Sequence, residues 1–176
     1  MQKYSKESVT FRLDGPNLSS ITKEAEKTGI SLNALVNQII DKHVEWYSFE
    51  KNMVSFPQKL ISRLLSKYTE EEIADLAKKI AKDEIKDIIL LLHKKNSPEA
   101  FLNVIETWVK VSNFPYTHDV EDSVHTFIIQ HDMGKKLSLY LSKLYEAVFD
   151  SFELKKAEFD ITKNTVAFTV DTEKPQ

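Results

Sequence analysis

From Ser8 to Leu13 the chain alternates: Val9, Phe11 and Leu13 are apolar, while Ser8, Thr10 and Arg12 are polar. A period of two predicts a short strand with one buried face. Asp14-Gly15-Pro16-Asn17 reads as a turn, with Pro suited to a first helical position. Leu18, Ile21, Thr22 and Ala25 then recur at helical spacing, and Gly29 is a natural stop. Ser31 is placed to cap a second helix, whose apolar side carries Leu32, Leu35, Val36, Ile39, Ile40 and His43, to about Tyr47.

Glu50 to Ser55 reads as a hinge. Beyond it, the spacing predicts a helix from Pro57 to about Lys67 with Leu60, Ile61, Leu64 and Leu65 inward. Thr69 and Glu72, three apart ahead of Ile73, form a capping box that opens a long helix to about His93. Ser97-Pro98 starts another, with Phe101, Leu102, Ile105, Trp108 and Val109 inward, ending near Asn113 ahead of Pro115. The pattern then changes. Ser123–Gln130 is β-branched and aromatic and predicts a strand, and Asp132–Phe152 is an amphipathic helix. Alternating runs at about Leu154–Ile161 and Thr165–Asp171 flank Lys163-Asn164, which suits a tight hairpin turn. The expected fold is therefore mainly α, with an α+β C-terminal part: helices, then strand-helix-strand-strand as a small antiparallel sheet with a packed helix. The expected domains are residues 1–49 and 50–176.

Composition narrows the classes. The 176 residues are 41% hydrophobic and include 3 Gly and 5 Pro, which favours a folded, helix-rich chain. There is no Cys, so disulfides, thiol catalysis and cysteine metal sites are excluded, and a reducing compartment fits. No apolar run approaches the ~20 residues of a membrane span, and the N-terminus lacks a signal-like apolar stretch. The expectation is a cytoplasmic protein without membrane contact. The net charge of −3 is unevenly spread: −1 over residues 1–50, +2 over 51–114 and −4 over 115–176.

A lone strand cannot satisfy its own hydrogen bonds or cover its own face. Two copies pairing antiparallel would bury Val9, Phe11 and Leu13 and leave a polar ridge of Ser8, Thr10 and Arg12, and such a ribbon fits the DNA major groove. The run Val9-Thr10-Phe11-Arg12-Leu13, the helix after it, and the stretch from Gly29-Ile30-Ser31-Leu32-Asn33 to Ile40 resemble the ribbon-helix-helix (CopG/MetJ/Arc-type) family of DNA-binding proteins. The resemblance covers about 40 of the 176 residues. It implies an intertwined homodimer, or a higher oligomer, bound to double-stranded DNA. Thr10 and Arg12 would read bases with Ser8 at the edge, and the backbone amides of Ser31, Leu32 and Asn33 would hold a phosphate at the start of the second helix. With the module at −1, low affinity per dimer is expected, and tight binding calls for several dimers side by side.

Residues 50–176 suggest no family. His118, His125 and His131 lie near Asp119, Glu121, Asp122 and Asp132. On a regular strand His125 and His131 face the same way but sit ~20 Å apart, so they cannot share an ion. His118 and Asp119 are read as loop residues able to approach His125. His131-Asp132-Met133-Gly134-Lys135-Lys136 reads as a strand-to-helix turn with Asp132 as N-cap; its glycine and lysines are either solvated or the makings of an anion site, without a phosphate-loop pattern. Trp108, Phe114, Tyr116, Phe127, Tyr140, Tyr145 and Phe149 are core candidates. No catalytic constellation, metal site or cofactor is expected. The leading reading is a dimeric, sequence-specific transcriptional repressor whose C-terminal domain oligomerises or senses a small-molecule or protein effector. The alternatives are an antitoxin whose C-terminal part binds a toxin, and a non-DNA dimeric scaffold or ligand-binding protein.

Overall fold

A computed structural model describes residues 7–47 and 56–173. The expected hinge at 50–55 lies outside the described residues. The chain divides into two compact units, Met1–Val44 and Glu45–Gln176, a few residues ahead of the boundary expected at 49/50.

The first unit contains two helices, α1 (Gly15–Thr28) and α2 (Leu32–Lys42). α1 opens at Gly15, so the residues read as a turn are its first turn, with Pro16 where no N–H is needed. Gly29 ends it with φ 71°, and Gly29 N and Ile30 N return bonds to Glu26 O and Ala25 O. The Ser31 hydroxyl accepts from Ala34 N at 3.1 Å and starts α2. A π-helical turn, His43–Tyr47, follows α2.

The second unit is an α+β fold. Its order is α3 (Gln58–Leu65), α4 (Glu70–Ile80), a π-helical turn (Ala81–Ile85), α5 (Lys86–His93), α6 (Pro98–Val111), β1 (Tyr116–Glu121), β2 (Val124–Gln130), α7 (Lys135–Ser151), β3 (Glu158–Ile161) and β4 (Thr165–Asp171). The four strands pair antiparallel in the order β1-β2-β4-β3. Two hairpins therefore flank α7, and their inner strands β2 and β4 meet at the centre. The Thr69–Glu72 capping box is formed in both directions, at 2.7 and 3.2 Å.

Alternation decides which face of the sheet is covered. Phe127 and Ile129 of β2 and Val166, Phe168 and Val170 of β4 are buried, as are Leu137, Leu141, Leu144, Val148 and Phe149 of α7. Phe168 is the hub: its ring lies 5.1 Å from Phe127, 5.5 Å from Tyr145, 5.6 Å from Phe149 and 5.6 Å from Phe159.

Three expectations need correction. The loop before β2 is a strand, β1, paired with β2 across a tight turn at Asp122-Ser123, so His118 and Asp119 are edge-strand residues rather than loop residues. Asp132 is not the N-cap of α7. Gly134 holds that position, and Asp132 Oδ1 accepts from Asn164 Nδ2 at 3.2 Å instead. Ser8–Leu13, expected as a strand, is irregular, and no strand among the described residues pairs with it.

Candidate nucleic-acid interface

The six residues expected to meet DNA fall in two places. Ser8, Thr10 and Arg12 lie in the irregular segment ahead of α1, and all three are exposed. Their apolar neighbours are exposed as well: Val9 by 71%, Phe11 by 61% and Leu13 by 50%. Ser31, Leu32 and Asn33 come together at the first turn of α2, because Ser31 caps that helix. The Ser31 hydroxyl is engaged with Ala34 N. The amides of Leu32 and Asn33 belong to the first helical turn, which has no intrahelical acceptor for them, so they are the groups free to meet an anion. Asn33 O accepts from Asn37 Nδ2 at 2.7 Å, which fixes the exposed side of that turn. Among the described residues no hydrogen bond or ion pair ties Ser8, Thr10 or Arg12 to the α2 turn. Residues 7–44 carry four Lys/Arg against five Asp/Glu, so the described part of the first unit has no net positive charge.

The histidines of the second unit form a different arrangement. His118 Nε2 and His125 Nδ1 are 2.9 Å apart across the β1–β2 pair, so one ring donates to the other. His118 stacks on Phe127 with 3.8 Å between ring centres. Its Nδ1 is 3.6 Å from Glu106 Oε2 on α6. Glu106 Oε1 also takes Lys110 Nζ at 3.0 Å and the Tyr116 hydroxyl at 3.1 Å. Burial, with His118 beside it, holds His125 below the usual histidine range. Burial would raise the Glu106 carboxyl, but Lys110 and the Tyr116 hydroxyl stabilise its anion and bring it below the usual value. The arrangement docks the edge strand on α6. Among the described residues no three His, Asp or Glu side chains are grouped to hold a metal ion.

β1 was hard to read from the sequence because its half-buried positions, Tyr116 and His118, are not aliphatic, and Val120 on the same side is exposed. The signal available was the alternation itself, with Thr117, Asp119 and Glu121 between them. The lysines at the start of α7 are engaged. Lys136 Nζ donates to the carbonyls of Ser66 (3.0 Å) and Tyr68 at the end of α3, and Lys135 lies 3.6 Å from Glu70. Their charge is directed at α3 and α4.

No protein-family model matches the chain. Over 165 residues it is 30% identical to the phenylalanine–tRNA ligase alpha subunit of Methanococcus maripaludis, an alignment covering 90% of this chain and 31% of that subunit. The chain thus spans about a third of the length of the curated relative it matches. No helix among the described residues is long and apolar enough to cross a membrane.

Proposed function

We propose that residues 1–49 form a ribbon-helix-helix homodimer that reads double-stranded DNA, and that the protein is a non-enzymatic transcriptional repressor. The observation that carries this reading is the missing core of the first unit. Among the described residues of that unit only Ala25 and Leu35 are buried, while Val9, Phe11, Leu13, Leu18, Ile39, Ile40 and Val44 are all more than 40% exposed. A unit this small rarely folds on so little burial without a partner. A second copy supplies what is lacking: strand pairing for Ser8–Leu13 and cover for Val9, Phe11 and Leu13. The opposite face of that strand is then Ser8, Thr10 and Arg12, positioned for the major groove, and the free amides of Leu32 and Asn33 take a backbone phosphate.

The second unit has its own core, which favours an oligomerising or effector-binding domain over an antitoxin segment that orders only on its target. The partial likeness to a tRNA ligase subunit supports a second reading, in which the nucleic acid is RNA.

The test is selection from random duplex and random RNA pools, run beside the Thr10→Ala/Arg12→Ala double variant. A short repeated duplex motif, enriched by the parent and lost in the variant, is the expected outcome. Enrichment of RNA alone would establish the second reading. No enrichment from either pool, with a dimer intact by light scattering, would reduce residues 1–49 to a dimerisation device.

A further inference from the structure

Along α4, the π-helical turn and α5, small or apolar residues recur every fourth position: Ile73, Ala77, Ala81, Ile85 and Ile89. In a regular α-helix such a row drifts by ~40° at each step, so Ile89 would end ~160° away from Ile73. The π-helical turn at Ala81–Ile85 is wider and takes part of that drift back. As a result Ile73, Ala77, Ile85 and Ile89 are all buried. Lys78, Lys82 and Lys86 each follow a member of this row, so the same turn aligns their stems along one edge.

Opposite that edge runs the C-terminal end of α7. Between them is a cavity of about 480 Å³. Its floor is apolar, made by Ile85, Ile89, Val148 and Phe152, and Lys78, Lys82 and Lys86 line its side. Among the described residues none of these three lysines is in an ion pair, although Asp150 lines the same cavity. A second cavity of about 420 Å³ shares Asn96, Ser151 and Phe152 with the first, so the space continues toward the start of α6. The volume falls within the ~300–1,000 Å³ of small-molecule sites. Three like charges spaced along one helical edge repel one another, and an anion beside them relieves that repulsion. The floor below offers burial to an apolar body.

We propose that this cavity binds an amphipathic organic anion: a carboxylate or phosphate ester head held by Lys78, Lys82 and Lys86, with an apolar body on the Ile85–Ile89–Val148–Phe152 floor. The inference rests on the second unit alone and stands whether or not the first unit reads DNA.

The test is calorimetric titration of the full-length protein with decanoate, decyl phosphate, decanol and the decyltrimethylammonium cation. Decanoate or decyl phosphate should bind at a single site, about ten-fold or more tighter than decanol or the cation, with affinity falling as salt is raised. Which of the two anions binds tighter identifies the head group. Lys78→Gln/Lys82→Gln/Lys86→Gln should lower anion affinity about ten-fold while leaving decanol binding unchanged and the melting temperature no lower than the parent's. Ala147→Phe, which fills the cavity from α7, should abolish binding of both in a protein of unchanged circular dichroism. The proposal is overturned if neither anion binds, if decanol or the cation binds as tightly, or if the glutamine variant binds the anions as the parent does.

Discussion

His131 shows how one buried polar residue joins three segments. It is 2% exposed; its Nδ1 accepts from Met133 N at 3.1 Å, and its Nε2 lies 2.9 Å from Ser138 Oγ. Because Nδ1 must accept, the ring is neutral with its proton on Nε2. Burial, opposed only by Asp132, holds its pKa below the ordinary 6.5. As pH falls through about 6.5, the unfolded chain takes up the proton first. The stability tied to this ring is therefore full above that pH and lost progressively toward the lower folded-state value. His93 and His125, also lowered, act in the same direction. The lowered carboxylates Glu99, Glu106 and Asp171 act in a separate window, below about 4.5. Urea midpoints should therefore be lower at about pH 5.5 than at about pH 7.5. His131→Gln should lower stability at the higher pH and shrink the difference between the two. A parent midpoint that does not move with pH would refute this account.

At the scale of elements, what could be read ahead of the structure follows from whether the cause is local. Ser31, Thr69 and Ser97 act within one turn of themselves, and all three accept a backbone N–H three residues on. Lys163-Asn164 likewise makes a two-residue turn, with Thr162 N bonded to Thr165 O. β1 and the start of α7 depend on distant partners: Glu106 and Phe127 for His118, Asn164 for Asp132 and Gly134. Nothing in a short window announces such partners. Of the candidate interface, the capped turn at Ser31 was legible and formed, whereas Ser8–Leu13, expected as a strand, is irregular. The capping box gives a local test. Thr69→Ala should cost about 1 kcal/mol, because it leaves Glu72 N without its acceptor. Phe168→Ala, which empties the aromatic hub, should cost about 3–5 kcal/mol. Chemical denaturation measures both. A cost at Phe168 no larger than at Thr69 would contradict the packing described for the sheet.

At the scale of the molecule, the two units differ in where their stability comes from. In the second, Phe101, Phe127, Phe149 and Phe168 are at most 2% exposed, and helices and sheet close over them within one chain. The first buries Ala25 and Leu35 and exposes three apolar positions in alternation at Val9, Phe11 and Leu13. If a second copy covers those positions, the folding of the first unit is coupled to association, and its midpoint rises with protein concentration by mass action. The core of the second unit is complete within one chain, so its folding does not require that association. Thermal unfolding should therefore show two transitions, of which only one shifts upward as concentration is raised. Phe11→Asp places a charge where the partner would pack and a bare carboxylate is costly to bury. It should remove the concentration-dependent transition, leave the other at its parent temperature and halve the mass measured by light scattering. A single transition that ignores both concentration and Phe11→Asp would mean that the first unit stands alone. The exposed apolar alternation at Val9, Phe11 and Leu13 would then need an explanation other than a ribbon.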